Sequence, residues 1–120
     1  MARIMIAEDD DQVRESLKEI LKIKNHEVIS EAINGGETLE KFNATKPDIL
    51  FLDITMPIKN GIIVLKEIMF TDPKAKIIML TANDAMETIV ECIQSGAVAY
   101  LIKPFDMDSL YTSIQMALDK

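Results

Sequence analysis

Four short apolar runs in this sequence each end in side chains able to handle a phosphoryl group. Glu8 and Asp9 follow Ile4 to Ala7, Asp53 follows Ile49 to Leu52, Thr81 follows Ile77 to Leu80, and Lys103 follows Ala99 to Ile102. Three carboxylates brought together repel one another, so at least one should have a raised pKa unless a cation is shared among them. Magnesium suits such a site: it takes one or two carboxylates and keeps waters and phosphate oxygens in its other positions. Asp53 is then the candidate nucleophile, since a carboxylate can attack phosphorus to form an aspartyl phosphate. Glu8 and Asp9 would hold the metal. Phosphoryl transfer is mostly positioning and electrostatic stabilisation, for which Lys103 supplies a fixed cation and Thr81 a hydroxyl donor.

These residues are far apart in sequence and meet only if the elements carrying them line up. Apolar runs alternate with amphipathic stretches five times, which reads as strands joined by helical crossovers. Ile4–Ala7 precedes a helix in which Val13, Leu17, Ile20 and Leu21 share a face, ended by Asn25. Val28 and Ile29 begin the second strand, Asn34-Gly35-Gly36 makes a turn, and a helix with Leu39 and Phe42 on one side closes at Pro47. Ile49 to Leu52 is uninterrupted, as expected of a central parallel strand, with burial stopping at Asp53.

A turn through Pro57, Lys59, Asn60 and Gly61 leads to a helix with Leu65, Ile68 and Met69 that stops before Asp72-Pro73. After the Ile77–Leu80 strand, Ile89, Cys92 and Ile93 mark the buried stripe of a fourth helix capped by Gly96. The Ala99–Ile102 strand and a last helix follow, the helix capped by Asp106 with Leu110, Ile114, Ala117 and Leu118 recurring at helical spacing. Such crossovers make strands parallel and connections right-handed, so the expected fold is one α/β domain over 1–120, a doubly wound five-stranded sheet with five helices. In that architecture ligands bind outside the carboxyl ends of the strands, where all the chemically apt residues stand.

Composition narrows the partners. A chain of 120 residues with 48% apolar content supports one core, and a net charge of -7 disfavours nucleic acid and anionic membranes. Cys92 is the single cysteine, so an internal disulfide and a cysteine zinc site are both excluded. No apolar run approaches the ~20 residues of a membrane span, and the expected location is cytoplasmic.

Taken together, the motifs resemble those of response-regulator receiver domains, particularly the stand-alone CheY-like type. The resemblance rests on Ala7-Glu8-Asp9-Asp10, Leu52-Asp53-Ile54-Thr55-Met56-Pro57 with Gly61, Leu80-Thr81-Ala82, and Gly96-Ala97 leading to Tyr100 and Lys103-Pro104-Phe105. It implies a strand order 2-1-3-4-5. It also implies that Asp53 accepts a phosphoryl group from a phosphohistidine on a sensor histidine kinase or phosphotransfer protein, with Mg2+ or Mn2+ as cofactor. Asp9, Asp53 and the Thr55 backbone carbonyl would ligate the metal, Glu8 acting partly through water. Receiver domains often carry Asp where Glu8 stands. Choosing Glu8-Asp9 over Asp9-Asp10 as the acidic pair depends on placing Arg14 at the family's basic position in the first helix; Asp10 can equally be a helix cap.

The resemblance further implies a cis Lys103-Pro104 bond, where sequence alone favours trans. Thr81 and Tyr100 would couple phosphorylation to a downstream protein target on the face of the fourth helix, fifth strand and fifth helix, with Met86, Val90, Met107 and Tyr111 outward. Thr55 and Asn83 would flank the site and tune the lifetime of the phosphoryl group. The chain would be no enzyme beyond its own phosphorylation and dephosphorylation, in chemotaxis or another two-component system.

Other readings are weaker. An aspartate-nucleophile phosphatase needs a second Asp two positions after the first, where this chain has Thr55. A flavodoxin-like carrier needs a Ser/Thr/Gly-rich loop after the first strand, and a receiver that is not phosphorylated would lack the acceptor or the lysine. A receiver unit of a DNA-binding regulator stays open, although the fifth helix lacks the arginines common in those that dimerise through this face. His26 falls in a loop at the far end of the sheet, and Cys92 reads as an inert buried thiol.

Overall fold

The computed structural model describes residues 2–82 and 84–119. Runs of four or five apolar residues are too short for helices and become strands, and the amphipathic stretches between them return the chain to the same end of the sheet. The elements are β1 (Arg3–Ala7), α1 (Asp11–Ile23), β2 (Glu27–Ala32), α2 (Gly35–Thr45), β3 (Ile49–Asp53), α3 (Gly61–Thr71), β4 (Ile77–Thr81), α4 (Met86–Gln94), β5 (Ala99–Ile102) and α5 (Met107–Leu118). The strands form one parallel sheet in the order β2-β1-β3-β4-β5. Strand order therefore reverses between β1 and β3, which opens a crevice at their carboxyl ends.

Alternation along each strand assigns the two faces of the sheet. Met5, Leu50, Leu52, Ile77 and Met79 pack with Phe42, Leu65 and Cys92 from α2, α3 and α4. Ile4, Ile6, Ile49, Phe51, Ile78, Leu80 and Leu101 pack with Leu17, Leu21, Leu110 and Ile114 from α1 and α5. Each fully buried Leu or Ile contributes roughly 1.5–3 kcal/mol by removal from water. Among the described residues no helix is long and apolar enough to cross a membrane.

Side-chain caps fix where four helices begin. Asp10 accepts from the N–H groups of Gln12 and Val13, Asn34 from Glu37, Asn60 from Ile63 and Asp106 from Ser109; each such cap contributes about 1 kcal/mol. Asn34 is thus the cap of α2, and Gly35 and Gly36 are its first turn rather than a separate turn. Helix ends fall where expected, with Asn25 and Gly96 in positive φ (62° and 113°) after α1 and α4.

Burial departs from the periodic reading at four places. Asp53 is itself buried, 3% exposed, so burial does not stop at the last apolar residue of β3. In α4 only Cys92 is buried, while Ile93 is 43% exposed; this nine-residue helix lies at the β4–β5 edge, where one row of side chains covers the sheet. Leu118, in the last turn of α5, extends past the core and is exposed. Tyr111 points away from the α4-β5-α5 face: it is half-buried against the α1 side, with its hydroxyl 3.5 Å from the Ile20 carbonyl and Lys24 Nζ 4.8 Å from its ring centroid. His26 lies in the α1–β2 loop, where Nδ1 accepts from the Ala2 N–H (3.0 Å) beside the start of β1. Cys92 is free and buried, and burial pushes its thiol pKa up.

Candidate functional site

The pleat explains why the charged residues meet. Glu8 continues the alternation of Ile4 and Ile6, Asp53 that of Ile49 and Phe51, and Lys103 that of Ala99 and Leu101, all on the face covered by α1 and α5. Thr81 follows Ile77 and Met79 on the opposite face. At the strand ends the three charged side chains come together: Lys103 Nζ meets both Glu8 and Asp53, and Glu8 and Asp53 cluster with Asp9.

Asp53 sits at its centre. Its Oδ1 accepts from the Thr55 N–H at 3.2 Å and lies 3.3 Å from Lys103 Nζ. Burial, and next the charge of Glu8, push the Asp53 carboxyl up to about 7, against the opposing pull of Lys103 and the Thr55 N–H. The loop after Asp53 is pinned by the Ile54 N–H on the Leu80 carbonyl (3.1 Å) and the Gly61 N–H on the Ile54 carbonyl (2.7 Å). Any Cβ at Gly61 would stand 2.1 Å from the Asp53 carbonyl oxygen, so only glycine allows α3 to start this close to the acceptor.

Lys103 does more than face the acceptor. Its Nζ is 2.5 Å from Glu8 Oε1, which makes a buried ion pair that sequence reasoning did not foresee. Burial disfavours the Lys103 ammonium, but Glu8 and Asp53 outweigh it and leave the pKa raised. Glu8 Oε1 is buried, so this contact is screened little by water. The other oxygen, Oε2, accepts from the Asp10 N–H at 3.1 Å.

The β1–α1 turn settles which acidic residues belong to the crevice. Asp10 spends its carboxylate on capping α1, whereas Glu8, Asp9 and Asp53 each offer an oxygen within 4.8 Å of the others. Asp9 is the exposed member and Glu8, 1% exposed, the buried one. Arg14, a half-buried residue one turn into α1, donates to the Glu8 carbonyl (2.9 Å) and to Glu31 Oε1 on β2 (3.0 Å). A basic residue one turn after an acidic pair was visible in the sequence; its backbone target was not.

Thr81 is 3% exposed at the end of β4, and its carbonyl accepts from the Lys103 N–H at 2.7 Å. In the parallel register Thr81 pairs with Ile102, so Tyr100, two residues earlier, shares its face of the sheet and is 41% exposed. Thr55 is exposed beside Asp53. The Lys103-Pro104 bond is cis. Asn83, expected to flank the site, lies outside the described residues.

The donor set fits a hard divalent cation. Three clustered carboxylates face one ammonium, and burial together with the Glu8 charge keeps Asp53 reluctant to ionise; a cation would relieve both.

Residues 4–115 match the family described as the response regulator receiver domain. The chain is 45% identical over 103 residues to the chemotaxis protein CheY of Thermotoga maritima, covering 86% of each. It is 38% identical over 117 residues to the CheY of Bacillus subtilis, covering 98% of each. It is also 39% identical to the regulatory protein AtoC of Escherichia coli, covering 97% of this chain and 25% of that one. Among solved structures, the CheX-CheY-BeF3-Mg+2 complex from Borrelia burgdorferi superposes with a TM-score of 0.95 at 28% identity, covering 98% of this chain and 90% of that one. A CheY-like receiver domain protein from Methanospirillum hungatei gives 0.89 at 32% identity, covering 99% and 94%.

Proposed function

This chain belongs to the response regulator receiver domains, phosphorylation-activated regulators of chemotaxis or two-component signalling, and from that premise we propose that Asp53 is its phosphoryl acceptor. The observation that carries this is the meeting of Glu8, Asp9 and Lys103 around Asp53 at the carboxyl ends of the strands. Asp9, Asp53 and the Thr55 carbonyl would hold a magnesium or manganese ion, with Glu8 acting through water. Bound there, the ion would supply charge neutralisation for the carboxylates and for the transferring phosphoryl oxygens.

The chain's own groups do the rest. An Asp53 carboxylate oxygen attacks phosphorus of a phosphohistidine on a sensor kinase or phosphotransfer protein; the O–P bond forms as the P–N bond breaks, and the electron pair leaves with the imidazole nitrogen. Lys103, already 3.3 Å from Asp53 Oδ1, pairs with the incoming phosphoryl oxygens, and Thr81 donates its hydroxyl to them. Hydrolysis of the same aspartyl phosphate resets the domain, with Thr55 and Asn83 tuning its lifetime. This is the chain's only chemistry.

Thr81 and Tyr100 share a sheet face, which supports a path from the site to the α4-β5-α5 surface. Met86 (71% exposed), Val90 (40%) and Met107 (42%) give that surface apolar contacts for a downstream protein. The CheY of the Borrelia complex, which carries BeF3 and Mg+2, is bound to CheX, in keeping with a metal-dependent, partner-binding role. Moving from ~1% to ~99% active takes ~5.5 kcal/mol of differential stabilisation. The cytoplasm is the proposed compartment.

Intact mass after incubation with acetyl phosphate tests this reading. We expect a gain of about 80 Da in the wild type with Mg2+ and none in Asp53→Asn; an equal gain in both would overturn it.

A further inference from the structure

Arg14 is 13% exposed and has three acceptors on three segments. Its Nε donates to Glu31 Oε1 on β2 (3.0 Å), its Nη2 to Asp11 Oδ1 on α1 (2.5 Å), and its Nη1 to the backbone carbonyl of Glu8 (2.9 Å). Helical side chains lean toward the N-terminus of their own helix, which lets Arg14 reach back over the first turn to the end of β1.

The first contact already ties α1 to β2, with Lys18 adding a second ion pair to Glu31 at 3.0 Å, and the second stays within α1. The third has a different consequence. The Glu8 N–H is held by the Ala32 carbonyl (3.0 Å), and Arg14 holds the Glu8 carbonyl from the other side. Because the peptide unit is planar, fixing that oxygen also fixes the nitrogen and Cα of Asp9. Asp9 is the exposed carboxylate of the cluster, so its direction rests largely on its backbone.

We infer that Arg14 is a positioning residue for the cation site, holding the Glu8–Asp9 peptide so that both carboxylates face Asp53; this rests on the metal-dependent reading above. A positioning role and a charge effect predict opposite signs. Removing a cation near a dication site tightens binding by Coulomb's law alone. Removing a support of the ligand backbone weakens it, and loss of such outer partners commonly costs about 10-fold or more in metal affinity.

The test is calorimetric titration of Mg2+ into the wild type, Arg14→Met and Arg14→Lys at pH 8, with circular dichroism of each metal-free protein to establish folding. We expect a dissociation constant weakened about 10-fold in Arg14→Met and by a smaller factor in Arg14→Lys, which can reach one acceptor but not three. Unchanged or tighter binding by folded Arg14→Met overturns the inference. Should Arg14→Met not fold, wild-type affinity in Arg14→Lys overturns it equally. Failure of the wild type itself to bind Mg2+ removes the metal-dependent reading and the inference together.

Discussion

Lys103 Nζ lies 2.5 Å from Glu8 Oε1, closer than its 3.3 Å approach to Asp53 Oδ1. In the metal-free protein the lysine is therefore held chiefly by Glu8, and Asp53 is left with burial and a like charge as its main influences. Glu8→Gln removes the like charge and turns Lys103 wholly toward Asp53. The protonation midpoint of Asp53 should fall below its value of about 7. Carboxyl-carbon NMR titration of metal-free protein reads this directly; an unchanged or higher midpoint would show that Glu8 does not govern Asp53.

A raised Asp53 pKa makes stability depend on pH. Below about 3.8, the ordinary value, folded and unfolded chains both hold the proton, and between 3.8 and about 7 only the folded chain does. This contribution is thus fully present at acid pH and lost as pH rises through about 7, amounting to on the order of 2–4 kcal/mol. Urea unfolding at pH 5 and pH 8 without metal should show it, and Asp53→Asn should flatten the difference. Mg2+ should restore stability at pH 8 far more than at pH 5. Equal pH dependence in the wild type and Asp53→Asn would assign the effect to other groups.

Ile58 has φ 74° and is 79% exposed in the β3–α3 loop, an unfavourable conformation for a β-branched residue with little burial to offset it. Ile58→Asn should stabilise the metal-free protein by about 1 kcal/mol, since Asn tolerates this region. Equilibrium urea unfolding checks it, and a loss of stability would mean that the Ile58 side chain contributes packing that outweighs the strain.

Tyr111 and Met86 should separate cleanly in mutagenesis. Tyr111 packs toward α1 and Lys24, so Tyr111→Ala should cost about 2 kcal/mol of stability. Met86, 71% exposed on α4, should tolerate Met86→Lys within about 0.5 kcal/mol. Denaturant midpoints for the two variants decide this. Comparable losses in both would place Met86 in a packed environment that its exposure contradicts.

The strands and the convergence of Glu8, Asp53 and Lys103, with Asp9 next in the chain, were legible because strand alternation and turn residues carry them: the same parity that buries Ile6, Phe51 and Leu101 aims the next polar residue into the crevice. The strand order came from the family resemblance instead, and Thr81 ends its strand on the other face. Helical spacing was less informative. It showed that Tyr111, Ile93 and Leu118 lie on particular faces of their helices but not what stands opposite, so the dock of Tyr111 on α1 and the exposure of Ile93 and Leu118 needed three dimensions. The Glu8–Lys103 pair and the Arg14 bond to the Glu8 carbonyl depend on the reach of long side chains between segments more than eighty residues apart or onto backbone, which no spacing encodes.

The most direct measurement is the position of the modified carboxylate. Treating the chain with acetyl phosphate, reducing the acyl phosphate with borohydride and mapping the peptides identifies which side chain captured phosphorus. We predict reduction at Asp53 alone, and only when Mg2+ was present during phosphorylation. Reduction at Glu8 or Asp9, or at Asp53 to the same extent without metal, would contradict a switch built on cation-relieved crowding around Asp53.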